Sequence, residues 1–162
     1  MSIHIKEATT ADISLLSDLI QNSFRDVALR FNLNIKNAPT HPSNCTDDWI
    51  KSDFENGKKY FILKKEKVHC GCVAIERANE NVFYLERLGV LPEYRNNGFG
   101  TLLVEHAKKK TIENDASRIE IGIIGENIEL KEWYQKRGFI FRENKHFDHL
   151  PFTVSFMYYD LS

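Results

Sequence analysis

Residues 82–101, Val-Phe-Tyr-Leu-Glu-Arg-Leu-Gly-Val-Leu-Pro-Glu-Tyr-Arg-Asn-Asn-Gly-Phe-Gly-Thr, constrain what this chain can fold into more than any other segment. The first part, residues 82–90, is rich in β-branched, aromatic and aliphatic side chains and predicts a strand, which Pro92 ends by withdrawing a backbone donor. Beyond Gly100, the residues Leu102, Leu103, Ala107, Thr111 and Ile112 recur at helical spacing, and Glu105, Lys108, Lys109 and Lys110 fall mainly on the other face. Between strand and helix lie Arg95, Asn96, Asn97, Gly98, Phe99 and Gly100, followed by Thr101. A helix starts here with its first amide protons unpaired and carrying partial positive charge, and the glycines let an anion approach the main chain. A phosphate or pyrophosphate fits such a turn, and so does the plainer reading of a tight connection with no ligand. The spacing excludes a Walker loop, which needs Gly-Lys-Ser/Thr, and a dinucleotide fingerprint, which needs Gly-x-Gly-x-x-Gly.

The chain has 162 residues, enough for one domain with a real core, and a single domain over residues 1–162 is expected. Its 22 basic and 23 acidic side chains leave a formal net charge of −1. That balance argues against a nucleic-acid or membrane-surface partner, and the lysine runs at 64–67 and 108–110 read as solvated surface. No apolar stretch approaches the roughly 20 residues of a membrane helix, and the N-terminus lacks a basic segment followed by an apolar one, so a cytoplasmic protein is expected. Three cysteines, Cys45, Cys70 and Cys72, are an odd count that suits a reducing compartment. His69 beside Cys70 and Cys72 has metal-like residue types, but Cys-Gly-Cys on a strand directs both sulfurs to one face without a second ligand pair; small core residues explain them better, and no metal is expected.

Taken in order, residues 3–6 alternate as a short strand, and Thr10 with Asp12 offers a cap to a helix running to about Arg30. Residues 32–46 form a long irregular segment containing Pro-Thr-His-Pro at 39–42, and loops of that length are usually functional or mobile. A short helix around Trp49 ends at Gly57; strands follow at 60–64 and 68–76, then the strand and helix described above. Residues 118–124 form a strand, Asn127 begins a helix that Gly138 stops, and strands at 139–142 and 153–159 flank a polar loop at 143–149. This order predicts an α+β domain with a central mixed, mostly antiparallel sheet flanked by helices.

Arg95-Asn96-Asn97-Gly98-Phe99-Gly100 resembles the Arg/Gln-x-x-Gly-x-Gly/Ala acyl-CoA-binding loop of the GCN5-related N-acetyltransferase (GNAT) superfamily. Residues 88–95 look like its strand and approach, and Asn127, Leu130, Tyr134 and Gly138-Phe139 stand at the offsets of its Asn…Ala…Tyr…Gly-Phe helix, with Leu130 where Ala is more usual. The resemblance implies a GNAT-like fold and an N-acetyltransferase that moves an acetyl group from acetyl-CoA directly to a primary amine. It implies that the loop from Arg95 to Thr101 holds the pyrophosphate, that the backbone at Leu88 and Val90 holds the thioester carbonyl and the pantetheine arm, and that Asn127 binds the pantetheine or phosphate region. Many members of the superfamily dimerise, and the strand at 153–159 is a candidate for that contact. Alternatives are an acyl-CoA-binding sensor without turnover, or a protein N-terminal or lysine acetyltransferase.

Acyl transfer to an amine requires a neutral amine, stabilisation of an oxyanion and a proton for the leaving thiolate. Tyr134 is the leaving-group acid by resemblance: a phenol with a pKa near 10 stays protonated beside a thiol of about 8.5. Its alternative is a core aromatic, and that of Asn127 a plain N-cap. Period-two alternation puts Glu86 on one face with Tyr84, Leu88 and Val90 unless a bulge intervenes. Polyamine-acetylating members of the superfamily carry a Glu at the matching position, which makes Glu86 a candidate base, against the alternative of an exposed strand charge. Tyr84 and His41 are candidate acceptor-binding residues, His41 also a candidate base or simply an exposed loop side chain. Glu86, Tyr84 and the acidic pair Asp47-Asp48 suit a small cationic amine. The acceptor's identity, the acyl length and the oligomeric state are beyond the reach of side-chain identity.

Overall fold

The computed structural model describes residues 2–162. Strand β1 (Ile3–Glu7), helix α1 (Ile13–Arg30), helix α2 (Asp47–Glu55), strands β2 (Lys59–Lys65), β3 (Val68–Arg77) and β4 (Val82–Val90), helix α3 (Phe99–Glu113), strand β5 (Arg118–Ile124), helix α4 (Ile128–Lys136) and strands β6 (Ile140–His146) and β7 (Thr153–Asp160) follow one another. The strands form one seven-stranded sheet in the order β1-β2-β3-β4-β5-β7-β6. Every pairing is antiparallel except β4 with β5, which the α3 crossover makes parallel.

Each face of the sheet is covered by helices. Phe61, Leu63, Val73, Ile75, Phe83 and Leu85 pack with Leu103, Val104 and Ala107 of α3 and with Tyr134 of α4. Tyr60, Ile62, Cys72 and Ala74 pack on the opposite face with Leu16, Leu19 and Ile20 of α1 and Ile50 of α2. These residues alternate along β2 and β3, so the pleat sorts them between two cores.

Local signals set most boundaries, with instructive exceptions. The cap ahead of α1 is Thr9, not Thr10: Thr9 and Asp12 form a reciprocal capping box around a short 3₁₀ turn that leads into the helix. On α3, Lys108 is buried rather than solvated. Its ammonium reaches Glu105 at 3.2 Å and the Arg137 carbonyl at 3.3 Å and lies 3.6 Å above the Tyr159 ring, because β7 and the end of α4 close over that side of the helix. Leu102 and Ile112 are exposed instead. Strand β6 continues to His146, where a polar loop was expected; as the sheet's edge strand, with mostly exposed side chains, it tolerates Glu143, Asn144 and Lys145. Cys70 and Cys72 belong to different cores, since the β2–β3 register slips between Leu63 and Lys64 and makes Cys70 the unmatched residue. All three cysteines are free and buried, and no group of metal-ligating residues occurs among the described residues. No helix there is long and apolar enough to cross a membrane.

Candidate active site

The site is created by a defect in β4. Ala74 pairs with Glu86 and Cys72 with Gly89, so Arg87 and Leu88 together oppose Val73, and Arg87 adopts a left-handed φ of 51°. The alternation expected from Tyr84 to Val90 is broken there. Glu86 shares a sheet face with Ala74 on the α1–α2 side, whereas Leu88 and Val90 pack into the core beneath α3. The β4–β5 ladder runs only from Val82↔Arg118 to Tyr84↔Glu120. Beyond it the two strands diverge, with no β5 partner for the carboxyl half of β4.

A cavity of about 640 Å³ fills this wedge, lined by Tyr84, Glu86 and Leu88 from β4, by residues 121–124 of β5, and by Asn127, Leu130 and Tyr134 of α4. Further wall comes from Glu76 of β3, from Phe24 and Val27 of α1, from Thr40, His41 and Pro42 of the following loop, and from Phe152, Val154 and Phe156 at the start of β7. That loop is ordered by its own bonds: Asn34 accepts from the Lys36 and Asn37 amides, and Asn44 donates to the Ala38 carbonyl. His41 is consequently buried, not an exposed loop residue. Its Nδ1 contacts Ser43, and burial pushes the ring's pKa down to about 4.

Tyr134 is buried on the wall of this cavity, and no side-chain hydrogen bond involves its hydroxyl among the described residues. The ring is held edge-on between Trp133 and Phe139, 5.0 and 5.2 Å away. Burial raises the phenol's pKa above its ordinary value, so it remains protonated throughout the neutral range. Asn127, which lines the cavity, is the N-cap of α4: its Oδ1 accepts from the Leu130 amide at 3.3 Å, and its Nδ2 donates to no described residue.

Glu86 is ion-paired rather than free. Lys58, only 7% exposed, sits 2.9 Å from its carboxylate, 3.6 Å from Asp53 and 3.7 Å from Glu76. Arg87 bonds to Asp53 and to the Tyr60 hydroxyl. Three carboxylates thus face two cations beside the cavity; Glu76, Glu86 and Arg87 of this network line it, as does Glu120 of β5, which leaves the lining net negative. Burial first, and then the adjoining Glu86 carboxyl, hold the Glu76 carboxyl above its ordinary pKa. Asp47 takes no part, since it accepts hydrogen bonds from Ser14 and Ser17 where α2 meets α1.

The turn before α3 lies outside the cavity lining but joins it through α4. None of the amides of residues 96–101 donates to a described residue, and the left-handed Gly98 has open space where a Cβ would stand. Gly100 packs under Trp133, and Thr101 accepts a 2.8 Å hydrogen bond from Arg137, whose guanidinium lies 3.6 Å from the Trp133 ring. Phe99 is a core residue, and Asn97 braces the turn through the Tyr94 and Arg95 carbonyls. The Arg95 side chain points away from the free amides. It donates to Asp26, to the Ser23 carbonyl at 2.7 Å and to the Val90 carbonyl at 3.0 Å, strapping α1 to the end of β4.

The chain matches the Acetyltransferase (GNAT) family over residues 21–139. It belongs to that family. An uncharacterized N-acetyltransferase of Schizosaccharomyces pombe is 40% identical over 57 residues, which span 35% of this chain and 39% of that protein. The GNAT fold is shared with the ribosomal-protein-S18-alanine N-acetyltransferase of Escherichia coli, at a TM-score of 0.78 and 14% identity over 99% of this chain and 95% of that one. It is shared too with yncA of Salmonella typhimurium, a putative acetyltransferase solved with acetyl-CoA, at a TM-score of 0.74 and 15% identity over 100% and 95% of the two chains.

Of the residues singled out in the sequence, the cavity brings together His41, Tyr84, Glu86, Leu88, Asn127 and Tyr134, and leaves out Val90 and the turn from Arg95 to Thr101. Lys58, Glu76 and Arg137 were not legible as site residues. Lys58 and Glu76 sit in segments with no motif, and only the fold brings them to Glu86. Arg137 directly precedes Gly138-Phe139, and that adjacency is the one signal by which it could have been found.

Proposed function

We propose that this protein transfers an acetyl group from acetyl-CoA directly to the primary amine of a small molecule. The observation that carries the reading is the Tyr134 hydroxyl in the β4–β5 wedge, with no hydrogen-bond partner among the described residues, one helix away from a turn whose amides from residue 96 to 101 donate to no described residue. Those amides, with the open Gly98, suit a pyrophosphate, and the Asn127 Nδ2 suits an amide of the pantetheine arm. The unpaired main chain of β4 beside Leu88 supports the expected contact with the thioester carbonyl.

Within this reading the residues divide the work. The net negative wall of Glu76 and Glu86 attracts an ammonium, and Glu86 receives its proton, directly or through solvent, so that the neutral amine attacks the thioester carbon. The C–N bond forms as the C–S bond breaks, Tyr134 gives its proton to the departing sulfur, and the proton shed by the acylated nitrogen returns through solvent to restore the phenol. Transfer is direct because the three thiols are buried in the two cores, away from the cavity lining. Leu130, where Ala is more usual, narrows the α4 wall.

Thermal denaturation with acetyl-CoA, CoA, longer acyl-CoAs and ATP tests the reading. A ligand present at 100 times its Kd stabilises the native state by about 2.7 kcal/mol. Acetyl-CoA is expected to raise Tm by several degrees and ATP to leave it unchanged, after which thiol release with an amine panel reports transfer. No shift with any CoA species would falsify the proposal.

A further inference from the structure

The loop between α1 and α2 puts the buried His41 side chain on the cavity wall, and its Nε2 has no hydrogen-bond partner among the described residues. The ring packs edge-on against Phe24, 5.9 Å away, and both residues line the cavity. Its other nitrogen, Nδ1, lies 3.2 Å from the Ser43 backbone nitrogen and 2.8 Å from the Ser43 Oγ. A backbone N–H can only donate, so Nδ1 carries the lone pair and the neutral ring carries its proton on Nε2. Burial alone lowers the ring's pKa to about 4, with no charged neighbour contributing, so the ring is neutral at pH 7. At Nε2 this side chain can donate a hydrogen bond and cannot accept one. That rules it out as the base and as a partner for an ammonium.

We infer that His41 is a specificity-determining donor that selects amines carrying a hydrogen-bond-accepting oxygen, a carbonyl, carboxylate or hydroxyl, a few bonds from the amine. The inference rests on the cavity being the acceptor site of acetyl transfer. Glu76 and Glu86 form its carboxylate wall, and His41 stands in the apolar wall with Phe24, Val27 and Pro42. An amine seated against the carboxylates meets His41 with the rest of its skeleton. A hydrocarbon leaves the buried N–H unsatisfied, whereas an oxygen pairs with it.

Nitrogen-15 NMR of histidine-labelled protein saturated with CoA at pH 7 tests this without requiring turnover, His41 being assigned by the signals lost in His41→Phe. The expected spectrum shows a neutral ring protonated on Nε2, and that resonance moves with ethanolamine and L-alaninamide but not with n-propylamine or 3-methyl-2-butylamine. In thiol-release assays the wild type favours each oxygenated amine over its hydrocarbon counterpart by about tenfold or more in kcat/KM. The ratio falls toward one in His41→Phe and recovers in part in His41→Gln, which again offers a donor. A proton on Nδ1, a charged ring at pH 7, an Nε2 resonance indifferent to both oxygenated amines, or an equal loss of rate with all four amines in His41→Phe overturns the inference. Failure of the acetyl-transfer reading has a separate signature, the absence of stabilisation by acetyl-CoA.

Discussion

Tyr134 and Tyr60 are both buried tyrosines, and what separates them is the partner of the hydroxyl. Tyr60 donates to Asp53 at 2.6 Å inside an ion-pair network, while Tyr134 lines the cavity and its hydroxyl has no partner among the described residues. Replacing Tyr134 with Phe removes one oxygen and keeps the ring packing, so the variant should melt near the wild type and still be stabilised by acetyl-CoA, with kcat lower by about 100-fold in steady-state assays. Because burial raises the phenol's pKa, no fall in kcat from its ionisation is expected as pH approaches 10, where an exposed tyrosine would lose its proton. His41 titrates in the opposite sense. Its pKa is about 4 in the folded chain against an ordinary 6.5, so the unfolded chain binds more protons between those values and stability falls as pH drops through that window. Urea denaturation at stepwise pH should show that slope in the wild type and a flatter one in His41→Phe. The types of these residues were plain in the sequence, but burial and the missing or present partner were not, since both depend on segments distant in the chain.

At the scale of elements, the site depends on how closely α1 approaches β4. A Cβ on Gly89 would stand 2.7 Å from the Ser23 Cβ, closer than real side chains come, and the Arg95 strap holds α1 at that distance. Gly89→Ala should cost about 1–3 kcal/mol in urea denaturation, as overpacking does, and should raise the acceptor's KM because Phe24 and Val27 move with the helix. The β4 bulge is the second such device. It brings Arg87 to Asp53 and Tyr60 while Leu88 returns to the core, and it coincides with the parting of β4 from β5. The strand itself was legible from residues 82–90, because β-branched and aromatic residues favour a pleated, half-buried surface. The bulge was not, since an extra residue in one strand shows only against the register of its partner.

The whole molecule sorts its chemistry by depth. Its cysteines are fully buried, and burial pushes the Cys45 and Cys72 thiols up to about 11 and 12, so none is a ready nucleophile. A disulfide-exchange reagent added to the native protein at pH 8 should react with all three only at the rate of unfolding, and at once in denaturant; a fast native phase would contradict the burial. The turn before α3 was legible as an anion site because glycines ahead of an apolar helical repeat leave its amides unpaired whatever the surrounding fold. Arg95 in that same turn was read as an anion contact, but its guanidinium goes to α1, whose arrival there no local pattern announces. The strands, the helices, the turn with free amides and the family likeness could be read from the residues alone, because these follow from periodicity, backbone freedom and spacing within short windows. Which side chains share the cavity, which of its charges are paired and which hydroxyl is free emerged with the folded chain, because burial and ion pairing are set by contacts between residues far apart in the sequence.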